Sequence, residues 1–149
     1  MRKNRAFTLL ELIIVVAIVG ILLAISLAFL SDAKTRGNDT GKIQTMAETR
    51  KALQIYAADK GGFPDSITEL VNSGDIDTID PSILYVGLNG NNVCNTSPCS
   101  TYHLAVVLKD INNGVLKTDS DQTTGSYDGT TNNCLPGGGI PELCYDIVP

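Results

Sequence analysis

One carboxylate stands at the head of a long apolar run. Glu11 is followed by 19 uncharged residues, at positions 12–30. Because an acid within a membrane span costs up to about 2.5 to 3.5 kcal/mol, we expect Glu11 to have a specific partner. No basic side chain in the run can serve. A cut between Ala6 and Phe7 would supply one, since the new amine of Phe7 would lie four residues before Glu11 on the same helix face, or beside Glu11 of a neighbouring copy.

Four cysteines form a second group of reactive side chains. They are Cys94, Cys99, Cys134 and Cys144, and four cysteines allow three disulfide pairings. We favour Cys94 with Cys99 and Cys134 with Cys144, because each pair brackets a short loop that contains Asn, Gly or Pro. A zinc site is the alternative, but the chain has no Cys-x-x-Cys motif and one histidine, His103, which disfavours it.

A third group of polar side chains lies in the segment 118–129. Asp119 and Asp121 supply hard oxygen ligands at alternating positions, and Asp128 can swing in to complete a calcium shell. The segment is not an EF-hand, because, counted from Asp119, the sixth position is Thr124 rather than Gly and the twelfth is Thr130 rather than Glu. The sequence therefore gives a candidate calcium site and no other cofactor, with an ordinary solvated loop as the alternative.

No combination of side chains indicates catalysis. His103 has no serine, cysteine or acid that the sequence alone can place beside it, so we interpret it as a structural histidine. The sequence contains no nucleophile motif, phosphate-binding loop or paired-carboxylate site. It predicts a substrate of enzymes rather than an enzyme.

The apolar run has the length of a membrane span. At about 1.5 Å per residue, positions 12–30 form a helix of about 28 Å, close to the ~30 Å hydrocarbon core of a bilayer. Arg2, Lys3 and Arg5 precede it without an acid, which predicts a cytoplasmic N-terminus. The rest should face outward, where disulfides persist. A secretory signal peptide cut after Ala28 is an alternative, although its apolar region usually has only about 7 to 15 residues and no acid at its head.

These features resemble the class III signal of type IV pilins and pseudopilins. That signal combines a short basic leader, a small residue, Phe-Thr-Leu-x-Glu and a long apolar segment, matched here by Ala6-Phe7-Thr8-Leu9-Leu10-Glu11. The resemblance implies cleavage after Ala6 by a prepilin peptidase, N-methylation of Phe7, and helical polymerisation with the apolar helices bundled inside a filament. It also implies an α+β fold, in which a long N-terminal helix packs on a small antiparallel sheet.

The resemblance leaves several readings open. Ala6 stands where the family usually has Gly, and Ala28 stands where it commonly has Pro. Both a pilus subunit and the major pseudopilin of a type II secretion system are compatible with the motif. Some major pseudopilins hold calcium in a loop of the 118–129 region, whereas a disulfide-bounded loop such as Cys134 to Cys144 is more a pilin feature. Outside the family, the alternative is a single-pass, membrane-anchored extracellular binding domain.

The resemblance also implies partners and a location. Copies of the chain would join through their N-terminal helices, after contacts with membrane lipid, the prepilin peptidase and the pilus or secretion assembly machinery. The precursor would lie in the cytoplasmic membrane and then enter an extracellular pilus or a periplasmic pseudopilus. Without Arg2, Lys3 and Arg5, 8 basic and 16 acidic residues remain, so direct nucleic-acid binding is not expected.

The length allows one small outward domain. We divide the 149 residues into a leader at 1–6, an apolar helix at 7–30, its amphipathic continuation at 31–60 and a globular head at 61–149.

Helical spacing continues beyond the apolar run. Ile55 and Tyr56 lie off the apolar stripe, where they could contact neighbouring copies. The segment 37–41 is poor helix material, with Asp39 or Thr40 placed to cap a new start. The family resemblance nevertheless implies one helix from about residue 8 to 59, which we expect to be distorted near position 37. The stripe itself, at about 100° per residue, comprises Ile43, Met46, Ala47, Leu53 and Ala57.

The rest of the chain predicts short elements. A helix at 65–71, capped by Asp65 or Ser66, ends at Gly74. On the strand at 101–108, the even-numbered residues from Tyr102 to Leu108 should face the long helix, with His103 on the other face. The predicted strands are at 83–88, 101–108, 115–118 and 143–148.

Overall fold

The fold is known from a computed structural model that describes residues 8–124, 127–139 and 143–149. The chain forms two compact units, one ending at Arg36 and the other comprising Gly37–Pro149. Helix α1 runs from Leu9 to Lys60 and has 52 residues. Its hydrogen bonding includes residues 37–41, so the predicted continuity is confirmed and no second helix start exists there. The predicted distortion near position 37 stays a prediction.

The first unit contains the apolar part of α1. Every described side chain from position 8 to position 30 is exposed to solvent. By length and composition, α1 is the one helix among the described residues that could cross a membrane. These side chains therefore need lipid or other protein chains as packing partners.

The second unit packs the C-terminal half of α1 on a four-stranded antiparallel sheet. The strand order is β2-β1-β3-β4, and the central pair runs in register from Ile83 opposite Val106 to Leu88 opposite Thr101. Gly90, at φ +64°, begins the two-residue turn between β1 and β2, where a positive φ is required. The strands are β1 (Ile83–Asn89), β2 (Asn92–Val93), β3 (Thr101–Val107) and β4 (Cys144–Ile147).

The core lies between α1 and one face of the sheet. Tyr102, Leu104 and Val106 of β3 pack in the same buried cluster as Met46 and Leu53 of α1, which confirms the predicted orientation of this strand. The burial of these side chains stabilises the unit, by roughly 1.5 to 3 kcal/mol for each fully buried aliphatic side chain.

The buried face of α1 differs from the predicted stripe. Ala47 is exposed, whereas Tyr56 is 6% exposed and belongs to the core. A phenol can enter this face because its hydroxyl reaches a partner: Tyr56 Oη donates to Glu69 Oε2 at 2.7 Å. Ile55 is exposed, as expected.

Three short elements differ from the predictions. The predicted strand at 115–118 is a 3₁₀-helix, Gly114–Lys117, because the side chain of Asn113 accepts the N–H of Val115 and closes a helical turn. Helix α2 is Thr68–Ser73, with Ile67 rather than Asp65 or Ser66 at its N-cap; its end at Gly74 is confirmed. Strand β2 was missed, since two residues are too few to show alternation.

The second face of the sheet is covered as well. Ala105 of β3 is fully buried together with Cys134 and Cys144, so the segment 127–139 lies over the face opposite α1. This arrangement buries both faces of β3. It also brings Asp119 and Asp121 close to Asp146 of β4.

Candidate functional site

The start of α1 holds Glu11 in a capping box. Glu11 Oε2 accepts hydrogen bonds from the backbone N–H and the hydroxyl of Thr8, each at 3.0 Å, and the N–H of Glu11 donates to Thr8 Oγ1 at 3.2 Å. This reciprocal pattern satisfies backbone donors of the first helical turn. Ala6 and Phe7, the predicted cleavage and methylation residues, lie outside the described residues, so the pairing of Glu11 with the Phe7 amine stays a prediction.

Two disulfides fasten the loops of the second unit. They join Cys94 to Cys99 and Cys134 to Cys144, the pairing that the short loops favoured. The Cys94–Cys99 loop is tied to the end of α1, because Cys99 exchanges two backbone hydrogen bonds with Phe63, at 2.7 and 2.9 Å. The Cys134–Cys144 bridge holds the segment 127–139 against β4.

A three-carboxylate cluster lies at the edge of β4. One oxygen each of Asp119, Asp121 and Asp146 lies within 4.8 Å of the others. Asp128, predicted as a ligand together with Asp119 and Asp121, is not in this cluster: its Oδ1 instead accepts the N–H and hydroxyl of Thr130, at 3.1 and 2.7 Å. The structure thus groups Asp146, and not Asp128, with Asp119 and Asp121. The calcium site itself stays a prediction.

The cluster fits a hard cation. Calcium binds oxygens at 2.3 to 2.6 Å, so two of its ligands are at most about 5 Å apart, which the spacing allows. Asp119 Oδ1 is buried and has no hydrogen-bond partner among the described residues. Burial, with smaller contributions from Asp121 and Asp146, raises the pKa of Asp119 to about 6. A divalent cation would remove both costs, because it binds the orphan oxygen and favours the ionised carboxylate.

Asp146 also anchors a buried polar network. Its carboxylate accepts the N–H groups of Asp121 and Gln122, both at 2.9 Å, and Oδ2 lies 2.8 Å from His103 Nε2. The other ring nitrogen of His103 lies 3.3 Å from Thr124 Oγ1. His103 and Asp146 are fully buried. The histidine thus has an acid and a hydroxyl as partners, which sequence reasoning missed; the signal was an aspartate within the otherwise apolar strand β4.

Asp39 is a second acid that sequence reasoning misplaced. It is fully buried, and instead of capping a helix it accepts the N–H groups of Lys109 and Asp110, at 2.8 to 3.1 Å. Nearby, Lys42 Nζ donates to the carbonyl of Val107 at 2.5 Å. Two side chains of α1 therefore hold the chain that leaves β3. The available signal was the helical spacing of Asp39 with the buried stripe.

Comparison with known proteins agrees with the N-terminal motif. Residues 1–27 match the family described as the prokaryotic N-terminal methylation motif. The chain is 34% identical over 74 residues to the type IV wide pilus major component PilA4 of Thermus thermophilus, covering 50% of this chain and 56% of the relative. It is 32% identical over 101 residues to the fimbrial protein EcpB of Eikenella corrodens, covering 61% and 55%. The chain thus spans about half the length of these relatives, and no solved structure matches it significantly.

Proposed function

We propose that this chain, which carries the N-terminal signal and the α+β fold of the type IV pilin and pseudopilin family, is a structural subunit that polymerises into a type IV pilus-like filament. The observation that carries the proposal is the exposure of every described side chain from position 8 to 30 of α1. Lipid can cover these side chains in the precursor, and the same helices of neighbouring copies can cover them in a polymer. Both relatives, a pilus component and a fimbrial protein, support this choice.

The proposed route begins in the cytoplasmic membrane. The precursor is held there with its N-terminus inside, a prepilin peptidase cuts after Ala6, and the new amine of Phe7 is methylated. In the filament, Glu11 faces that amine in its own chain or in a neighbour. Any axial position that leaves one of the two charges unpaired in an apolar surrounding is disfavoured, so the pair sets the register between subunits.

We also propose that the head binds calcium through Asp119, Asp121 and Asp146. The support is the close spacing of their oxygens and the buried, unpartnered Oδ1 of Asp119. The ion would join the segment 119–122 to β4 and stabilise the edge of the sheet. This is a structural and not a catalytic role.

Two other functions compete with a pilus. A major pseudopilin would form a short periplasmic filament, and a membrane-anchored binding domain would form none. Electron microscopy of sheared surface material, combined with mass spectrometry of its subunits, separates the three. Long filaments that contain this chain support the pilus. Filaments confined to the periplasm favour the pseudopilin, and the absence of any polymer contradicts the proposal.

A further inference from the structure

An open groove with a basic rim lies beside α1 in the unit Gly37–Pro149. It encloses about 510 Å³. Three parts of the chain form it: α1, the segment before β1, and Lys109, which follows β3. We call it the basic groove; its principal residues are Gly37, Gly41, Lys42, Asp80, Ser82 and Lys109.

The charge of the groove is opposite to that of the unit. From Gly37 to Pro149 the chain has 6 basic and 14 acidic residues. The groove contains two of the six bases, Lys42 and Lys109, and one acid, Asp80. Lys109 is exposed, and its ammonium makes no ion pair among the described residues. Lys42 already donates to the carbonyl of Val107 and acts on Asp80, so Lys109 is the base of the groove that is available to a negatively charged surface.

Another chain can approach the floor of the groove closely. A Cβ atom added at Gly37 or Gly41 would meet nothing within 4 Å, so packing inside the chain does not explain either glycine. Each glycine costs a helix about 1 kcal/mol relative to alanine. Their absence of side chains leaves room for another chain beside the two lysines.

A surface with the opposite charge lies at the C-terminal end of α1. Asp59 is 70% exposed and its Oδ2 lies 2.7 Å from Lys60 Nζ. Asp75 follows α2 and, like Asp59, acts on Lys60. We call Asp59 and Asp75 the acidic end. Asp59 lies 17 residues after Lys42, or about 26 Å along α1.

We propose that the basic groove receives the acidic end of a second copy of this chain. The inference rests on the proposed function, because it assigns a subunit contact within the filament. Groove and acidic end are different surfaces, so one copy can offer its groove to the next and its acidic end to the previous one. Such a heterologous contact repeats without closing and produces an open polymer. It also places lysines between heads that otherwise repel each other through their excess of acids.

The test exchanges the charges in the full-length chain in its native host. Lys109→Glu alone, and Asp59→Lys with Asp75→Lys, should each lower the yield of sheared filaments about tenfold, through like-charge contacts. The chain with all three substitutions should recover most of the wild-type yield. Lys117→Glu, which makes the same charge change on an exposed side chain outside the groove, is the matched control and should leave the yield unchanged.

Thermal unfolding of each variant in detergent verifies that the heads still fold. Wild-type yield from Lys109→Glu would overturn the inference. A lower filament yield that the chain with all three substitutions does not recover would also overturn it, because the groove would then have another occupant, such as a lipid phosphate. Failure of the wild-type chain to form filaments would instead contradict the proposed function, so the two failures are distinguishable.

Discussion

The Nε2 atom of His103 lies 2.8 Å from Oδ2 of Asp146, and both side chains are fully buried. His103 is on β3 and Asp146 is on β4, while the same carboxylate accepts the backbone N–H groups of Asp121 and Gln122. One acid thus connects two strands to the loop that carries the candidate calcium ligands.

Removal of the Asp146 carboxylate should lower the stability of the head. Asp146→Ala leaves His103 and two backbone N–H groups without their acceptor, and we expect the free energy of unfolding to fall by about 3 to 5 kcal/mol. Denaturant titration of the detergent-solubilised chain measures the change. Asp77→Ala, at an exposed acid, should change stability by less than about 0.5 kcal/mol. A loss below about 1 kcal/mol for Asp146→Ala would show that the network is not a stabilising one.

Asp39 should matter for the attachment of the sheet to α1. Asp39→Ala leaves the N–H groups of Lys109 and Asp110 without their acceptor, which should lower the free energy of unfolding by about 2 to 4 kcal/mol. Asp59→Ala on the same helix loses only a surface ion pair and should cost less than about 1 kcal/mol. Equal effects of the two substitutions in a urea titration would contradict the role assigned to Asp39.

The stability of the head should depend on pH through Asp119. Its pKa is about 6 in the folded chain, above the ordinary value of 3.8, so the folded state binds this proton more tightly than the unfolded state does. Without calcium, stability from this group is present below pH 4 and is lost as the pH rises towards 6. Asp119→Asn should therefore stabilise the calcium-free chain at pH 7.5 and not at pH 4, as measured by thermal unfolding.

Calcium should oppose this dependence of stability on pH. At 100 times its dissociation constant, a bound ion stabilises by about 2.7 kcal/mol, and it needs the ionised carboxylate, so the gain should be larger at pH 7.5 than at pH 5. Chelation should remove the gain in the wild-type chain. Asp119→Asn should lose the response, and Asp128→Asn, outside the cluster, should keep it. An unchanged melting temperature with calcium at pH 7.5 would contradict the metal site.

Glu11 should be needed for assembly and not for insertion. Glu11→Ala removes the capping box with Thr8 and the proposed partner of the Phe7 amine, so we expect the chain in the membrane fraction at normal level and filaments reduced or absent. Glu48→Ala, which removes an exposed acid from the same helix, is the control. Normal filaments from Glu11→Ala would rule out its role in subunit register.

Features with local signals could be read from the sequence. The apolar run, the glycines that follow Lys60, the alternation of β3 and the short cysteine loops each depend on neighbouring residues. The errors depend on distant ones. Asp146 joins Asp119 from 27 positions away, and the core accepts Tyr56 only because Glu69 reaches its hydroxyl. Asp39 resembled a helix cap because the chain that supplies its partners is 70 positions away.

The central claim is that this chain is a processed, polymerising subunit, and the N-terminus of the native protein tests it most directly. Intact-mass and N-terminal peptide mass spectrometry should be carried out on the protein from its native membrane or from sheared surface material. We predict a chain that begins at N-methylated Phe7. A chain that still begins at Met1 in its native host would contradict the account and favour an anchored domain, and one that begins after Ala28 would indicate secretion instead.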